Sequence, residues 1–356
     1  MAVRKVGSAR IVREIGRGGM GVVYEAFQDG LDRPVAVKAL DTKLARSKEI
    51  VERFRREGRA YARLRHEAIV QVHDIVEKED GLYLVTEFVD GADLAHIVGQ
   101  GGALPPECVA LIGARVAEAL DYVHFNRLRH RDVKPANVMV SRDGEVKLMD
   151  FGIAKAEEDS SLTRAGMLVG SPSYMAPEVL AGEAKDEEEE KSADLWALGV
   201  SLYELLTGEK PFRGKNADEL FTSIQRGRYP HVRSLAPDCP RRLARAVEKC
   251  LSRRPAARGS AASLARTLEQ IAARLVSRKV HPRARLVALL ANRGFVTEEI
   301  ALAKLDASTL AATRIADSRG TATKAEFPIR HRRRASLAVA AALAAAAGLA
   351  TWLLPL

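Results

Sequence analysis

Residues 130–152 read HRDVKPANVMVSRDGEVKLMDFG and hold polar groups spaced so that they could act together. Asp132 and Asp150 flank Lys134 and Asn137. Between them, the runs Val138-Met139-Val140 and Glu145-Val146-Lys147-Leu148-Met149 are joined by Asp143-Gly144. Asp-Gly between two apolar runs signals a tight hairpin. Such a hairpin folds Asp150 back towards Asn137 and Asp132. Carboxylate and amide oxygens meeting at one point suit Mg²⁺, a hard cation that takes oxygen ligands and keeps phosphates and waters in its shell. A further carboxylate held nearby could take a proton from an attacking hydroxyl. A plain hairpin edged with turn acids explains none of this pairing.

The flanking sequence supplies elements that could position these groups. Residues 10–28 alternate as a strand through Ile11, Arg13 and Ile15, pass Gly16, Gly18, Gly19 and Gly21, and resume at Val22-Val23-Tyr24. The glycines form G-x-G-x-x-G, which lets backbone N–H groups approach a phosphate. A dinucleotide-binding fold would continue with a helix, whereas here a β-branched run follows. Val35-Ala36-Val37-Lys38 is a further strand. Residues 47–65 read as a charged helix with apolar Ile50, Val51, Phe54, Ala60, Tyr61 and Leu64. Gly58 within it weakens a helix by up to about 1 kcal/mol relative to Ala, which would make this helix mobile. Residues 66–74 and 81–89 read as strands, and 107–126 as a buried helix leading towards His130.

Taken together, these segments resemble the eukaryotic-type (Hanks-type) protein kinases, whose pattern is H-R-D-L-x-x-x-N followed by D-F-G. Val133 is the one departure within the first motif. Lys134 is similar to the serine/threonine branch, and Gly19-Met20-Gly21 to its bacterial members. The resemblance implies an α+β, two-lobed fold: a small β-rich N-lobe over about 8–88 and a larger helical C-lobe over about 89–275. It places ATP against Ile15, Gly16, Gly18, Gly19, Gly21, Val23 and Ala36, with Lys38 on the phosphates and Glu57 paired to Lys38. Thr86 falls at the gatekeeper position. Backbone groups of Glu87 and Val89 would receive adenine. By the same resemblance Asn137 and Asp150 would hold Mg²⁺ or Mn²⁺, Asp132 would orient the substrate hydroxyl and take its proton, and Lys134 would neutralise the γ-phosphoryl.

Residues 150–178 resemble an activation segment ending in Met175-Ala176-Pro177-Glu178. Thr163 is its expected phosphorylation site, modified in trans by a second copy in a homodimer, and Arg131 would pair with the phosphate. Ser171 reads as architectural. Asp194 would support the backbone of the Asp132 loop, and Arg258 would pair with Glu178. Residues 182–191, GEAKDEEEEK, read as a disordered or solvent-facing insertion.

Bulk properties bound the rest. The 356 residues are 47% hydrophobic, enough for one domain of about 250–300 residues and an appendage. Three cysteines without metal-ligand spacing indicate a reducing compartment. No apolar leader follows Met1, so the bulk of the chain is expected in the cytoplasm. Net charge is +10, and residues 241–334 carry 22 Lys and Arg against 7 Asp and Glu. Aromatics are 5% and do not interleave with this basic run, which argues against nucleic acid. Residues 276–334 are expected to be a basic juxtamembrane linker with short helices at 285–292 and 298–305. Residues 335–356 carry no charge over 22 positions, long enough for a transmembrane helix whose preceding arginines stay cytoplasmic. Nothing follows Leu356, so no sensor domain is expected beyond it.

The reading is a membrane-anchored serine/threonine kinase that phosphorylates proteins. The alternative is a pseudokinase-type membrane-bound scaffold. Such scaffolds typically lose groups of the Lys38, Asp132, Asn137 or Asp150 type, and all four are present.

Overall fold

Alternation of apolar and polar residues builds the first layer. The structure, a computed structural model, describes residues 5–18, 21–40, 48–78, 81–152, 172–183, 186–276 and 281–297. Strands β1 (Lys5–Val6), β2 (Ala9–Gly18), β3 (Gly21–Gln28), β4 (Arg33–Leu40), β5 (Val72–Lys78) and β6 (Gly81–Glu87) form a six-stranded antiparallel sheet. Its order is β1-β2-β3-β4-β6-β5. Successive side chains on a strand face opposite ways. Val35, Val37, Tyr83 and Val85 therefore bury one face with Val6 and Ala26. Ala36, Lys38, Leu84 and Thr86 line a cavity on the other. The register pairs Lys38 with both Val23 and Leu84, and Ala36 with Thr86.

Helix α1 (Lys48–Ala62) packs against β5. A Cβ at Gly58 would lie 2.6 Å from the Ile75 side chain, so this glycine is a close-packing position. That is a different role from the loosening expected of it. The strand expected over 66–74 lies further along, at β5. The apolar run Ala68-Ile69-Val70 instead leaves the sheet, and Val70 N donates to Leu148 O at 2.9 Å.

The larger layer is helical. β7 (Gly91–Asp93) leads into α2 (Leu94–Gly101) and α3 (Pro106–Phe125). The expected Asp-Gly hairpin is present as β8 (Val138–Ser141) and β9 (Val146–Leu148), with β8 central to a three-stranded sheet, β7-β8-β9. There follow α4 (Pro177–Leu180), α5 (Glu187–Thr207), α6 (Ala217–Arg226), α7 (Val232–Leu235), α8 (Arg241–Cys250), α9 (Ala261–Leu275) and α10 (Pro282–Asn292). α3 and α5 form the centre of the apolar core, with Leu120, Trp196 and Tyr203 fully buried.

The acidic run is not a disordered insertion where it is described. Asp186 caps α5 by accepting from Glu189 N at 2.9 Å, and Glu187 to Glu190 fill its first turn. Negative charge there complements the unpaired N–H groups and the helix dipole. The run does face solvent at Asp186, Glu187 and Glu188.

α10 packs on α3, so ordered structure continues past the expected boundary at 275. Among the described residues no helix is long and apolar enough to cross a membrane. The expected span 335–356, the expected helix 298–305, Gly19, Thr163 and Ser171 lie outside the described residues.

Candidate active site

Asp194, buried in α5, holds the loop that carries Asp132. Its carboxylate accepts the backbone N–H groups of His130 at 2.9 Å and Arg131 at 2.8 Å, and His124 Nε2 lies 2.8 Å away. Burial pushes this carboxyl up, but the His124 imidazole leads an opposing pull that holds it below the ordinary carboxylate range. Arg131 is thereby kept at φ +64° and Asp150 lies at φ +56°. A non-glycine residue in that region costs about 1–3 kcal/mol, so the surroundings must impose it.

His130 lies at the centre of this frame. It is fully buried, and burial lowers its imidazole below the ordinary value. The neutral ring donates from Nε2 to Met149 O at 3.0 Å and accepts at Nδ1 from Asp132 N at 3.3 Å. Gly152 N donates to His130 O at 2.9 Å. Phe151 stacks on Tyr61 at 4.1 Å and tilts against His130 at 4.6 Å. These contacts join α1, the Asp132 loop and the segment after β9.

The polar groups meet as the hairpin requires. Val138 pairs with Leu148, and Met149 N donates to Asn137 O at 2.9 Å, so Asp150 follows next to Asn137. Asp132 is 9% exposed. Its Oδ2 accepts from Lys134 Nζ and from Asn137 Nδ2, both at 2.9 Å. Asn137 Nδ2 also donates to Asp132 O at 2.7 Å, which leaves the amide oxygen as its acceptor face. Asp150 Oδ2 is 2.8 Å from Lys38 Nζ.

The ion pair expected between Lys38 and Glu57 is not the arrangement found. Lys38 pairs with Asp150, while Glu57 accepts from Arg131 Nη1 at 3.3 Å. The β8–β9 hairpin delivers Asp150 to Lys38 on β4. The Arg131 backbone, fixed by Asp194, aims its guanidinium at α1.

A cavity of about 510 Å³ separates the layers, within the size range of small-molecule sites. Ile15, Gly16, Val23, Ala36, Lys38, Glu87, Val89 and Asp150 all line it. Gly18 and Gly21 pair with each other at the β2–β3 tip, and Gly21 lies outside that lining. The Glu87 side chain turns to Lys147 Nζ at 2.6 Å, and Glu87 N donates to Gln71 O at 2.8 Å. Its carbonyl accepts from Thr86 Oγ1 at 3.3 Å and keeps a second lone pair for a ligand donor. Sequence reasoning missed Met139, Met149 and Phe295 in this lining. The first two sit in the quoted hairpin, but methionine fits any core equally well.

The donor set fits a hard cation. Among the described residues no cluster of three or more His, Cys, Asp or Glu forms a complete metal cage. The Asp150 carboxylate and the Asn137 amide oxygen would supply only part of a shell. Phosphates and water would supply the remainder, as Mg²⁺ prefers.

The protein kinase domain model matches residues 9–268. Over 245 residues the chain is 38% identical to the probable serine/threonine-protein kinase PknB of Lactococcus lactis subsp. lactis, covering 68% of this chain and 38% of that protein. It is 34% identical over 249 residues to the serine/threonine-protein kinase PrkC of Bacillus subtilis, covering 70% and 38%. The chain thus spans about two fifths of the length of these relatives. Among solved structures, the PknI kinase domain of Mycobacterium tuberculosis is similar at TM-score 0.61 and 32% identity, covering 77% of this chain and 99% of that one.

Proposed function

This chain belongs to the protein kinase domain family, and we propose that it is a serine/threonine protein kinase that moves the γ-phosphate of ATP to hydroxyls on proteins. The observation that carries the reading is the Asp132 cluster. A nearly buried carboxylate is held at 2.9 Å by both Lys134 and Asn137, beside the Lys38–Asp150 pair at the edge of the cavity.

In this reading Ile15, Gly16, Val23 and Ala36 cover the nucleoside, and the Glu87 carbonyl and Val89 backbone receive adenine. Lys38 neutralises phosphate oxygens. Asp132 accepts a hydrogen bond from the substrate hydroxyl and takes its proton as that oxygen bonds to the γ-phosphorus and the bond from the γ-phosphorus to the bridging oxygen breaks, releasing ADP. Lys134, already at Asp132, offsets the negative charge of the moving phosphoryl. Asn137 and Asp150 would hold Mg²⁺ or Mn²⁺, which when bound screens charge on the phosphates. Glu57 would exchange Arg131 for Lys38. Phosphoryl transfer asks for such positioning and charge stabilisation more than for covalent chemistry.

The proposal extends to parts outside the described residues. Thr163 is the site of autophosphorylation in trans, and Arg131 is the cation that would pair with its phosphate. The uncharged residues 335–356 form a membrane anchor behind Arg332-Arg333-Arg334, which keeps the kinase domain on the cytoplasmic side. Transfer of label from Mg-ATP to a Ser/Thr peptide library tests the activity, and peptide mass spectrometry tests Thr163. Sedimentation with vesicles, compared between the full chain and residues 1–334, tests the anchor. Label restricted to a small molecule would overturn the protein-kinase reading.

A further inference from the structure

Residues 281–297 lie beyond the stretch that matches the family, which ends at 268. In α10 residues 285–290 are all buried. A helix that is apolar nearly all round is a built-in element rather than a linker. It is tied down at three places. Arg283 pairs with Glu145 of the β8–β9 hairpin at 3.0 Å. The Arg283 carbonyl sits so close to Gly144 that a Cβ there would come within 2.4 Å. Arg293 donates to Ala103 O, just after α2, at 3.0 Å.

The helix then stops in a defined way. Gly294 takes φ +78°, and Phe295 N turns back to Leu290 O at 2.9 Å. This left-handed glycine closure is the usual way to end a helix and redirect the chain. It delivers Phe295 to the lining of the same cavity as Lys38, Glu87 and Val89. The ring also packs partly buried on the core, so its position is held from behind.

We propose that Phe295 is a nucleoside-contacting residue, and that 281–295 is a latch that supplies one wall of the nucleotide site from outside the family domain. The inference rests on the reading of that cavity as an adenine-nucleotide site. A phenyl ring offers no hydrogen bond to phosphate. Its contribution therefore falls on base and ribose, through apolar contact and stacking.

The test is equilibrium binding to the full chain, with a fluorescent ADP analogue displaced by ADP or by adenosine. Phe295→Ala should raise Kd about tenfold, and Phe295→Leu about threefold, because it keeps the packing but loses the ring face. The factor should be the same for ADP and adenosine. Lys38→Met should weaken ADP alone. Thermal melting checks that both Phe295 variants remain folded. Unchanged affinity in both variants, or a loss confined to ADP, would overturn the latch. A parent chain that binds neither ligand would overturn the nucleotide reading and the latch with it.

Discussion

Arg131 donates to Glu57 at 3.3 Å, so the helix that carries Glu57 is tied to the loop that carries Asp132. Tyr61 adds a second tie through its hydroxyl to Arg129 O at 2.8 Å. The position of α1 is thus set by groups that adjoin the catalytic cluster, and Lys38 is left to Asp150. A phosphate brought within reach of Arg131 would compete with Glu57 for it, since a dianion outbids a carboxylate.

Arg131→Gln tests this tie. Hydrogen exchange across residues 48–62 should rise about fivefold, the equivalent of about 1 kcal/mol for a half-buried pair. Exchange in α3 and α5 should not change. Equal exchange of 48–62 in parent and variant would show that the pair does not hold the helix.

Arg258 and Glu178 form the pair that the sequence led us to expect, through two bonds of 2.5 and 2.8 Å. The guanidinium is fully buried, 5.0 Å over the Trp196 ring. Arg258→Ala strands a buried carboxylate and should cost about 3–5 kcal/mol in urea unfolding. Arg258→Lys should recover little, because an ammonium cannot bridge both oxygens. Replacing both partners with apolar residues should cost less than the sum of the single changes. Additive costs would contradict this account.

Stability should depend on pH through His130. Burial holds its folded value below the ordinary 6.5, so the unfolded chain binds a proton that the folded chain refuses. The contribution is fully present above pH 6.5 and is lost as pH falls towards the lowered folded value. His66 and His73 are also lowered chiefly by burial and act in the same direction. The melting temperature should fall between about pH 7.5 and about pH 5.5, and fall less in His130→Asn. Equal slopes in the two proteins would refute the assignment.

Gly144 has φ +76° and faces the Arg283 carbonyl. Gly144→Ala adds left-handed strain and pushes on backbone, at a cost of about 1–3 kcal/mol. Loss of amide protection in residues 282–292 would show that this contact docks α10. Unchanged protection there would count against the docking.

The site was legible where the local chemistry is directional. Asp143-Gly144 announces a hairpin, and the hairpin alone brings Asp150 to Asn137. Alternation in Val35-Ala36-Val37-Lys38 points Lys38 away from the buried valines. Asp194 and Arg258 were legible through the family pattern, since each bonds a partner more than 60 residues away. What failed depends on packing. Nothing in the spacing of Glu57 tells whether it meets Lys38 or Arg131, because both are cations within reach of one helix face. The run Ala68-Ile69-Val70 is as apolar as a strand but bridges to Leu148 instead. The short helix expected at 285–292 is α10, but it shows no amphipathic stripe because it is buried nearly all round, so its docking on the core was not legible and it read as part of a linker.

The central claim is that Asp132 acts on a substrate hydroxyl in front of bound nucleotide. The most direct measurement compares phosphate transfer from Mg-ATP to protein by the full chain and by Asp132→Asn, with nucleotide binding measured on both. The account predicts label on Ser or Thr in the parent. It predicts a loss of about 10²–10⁴ in rate for the variant, with affinity for nucleotide retained. A parent chain that binds nucleotide without transferring phosphate, or an Asp132→Asn variant as active as the parent, would contradict it.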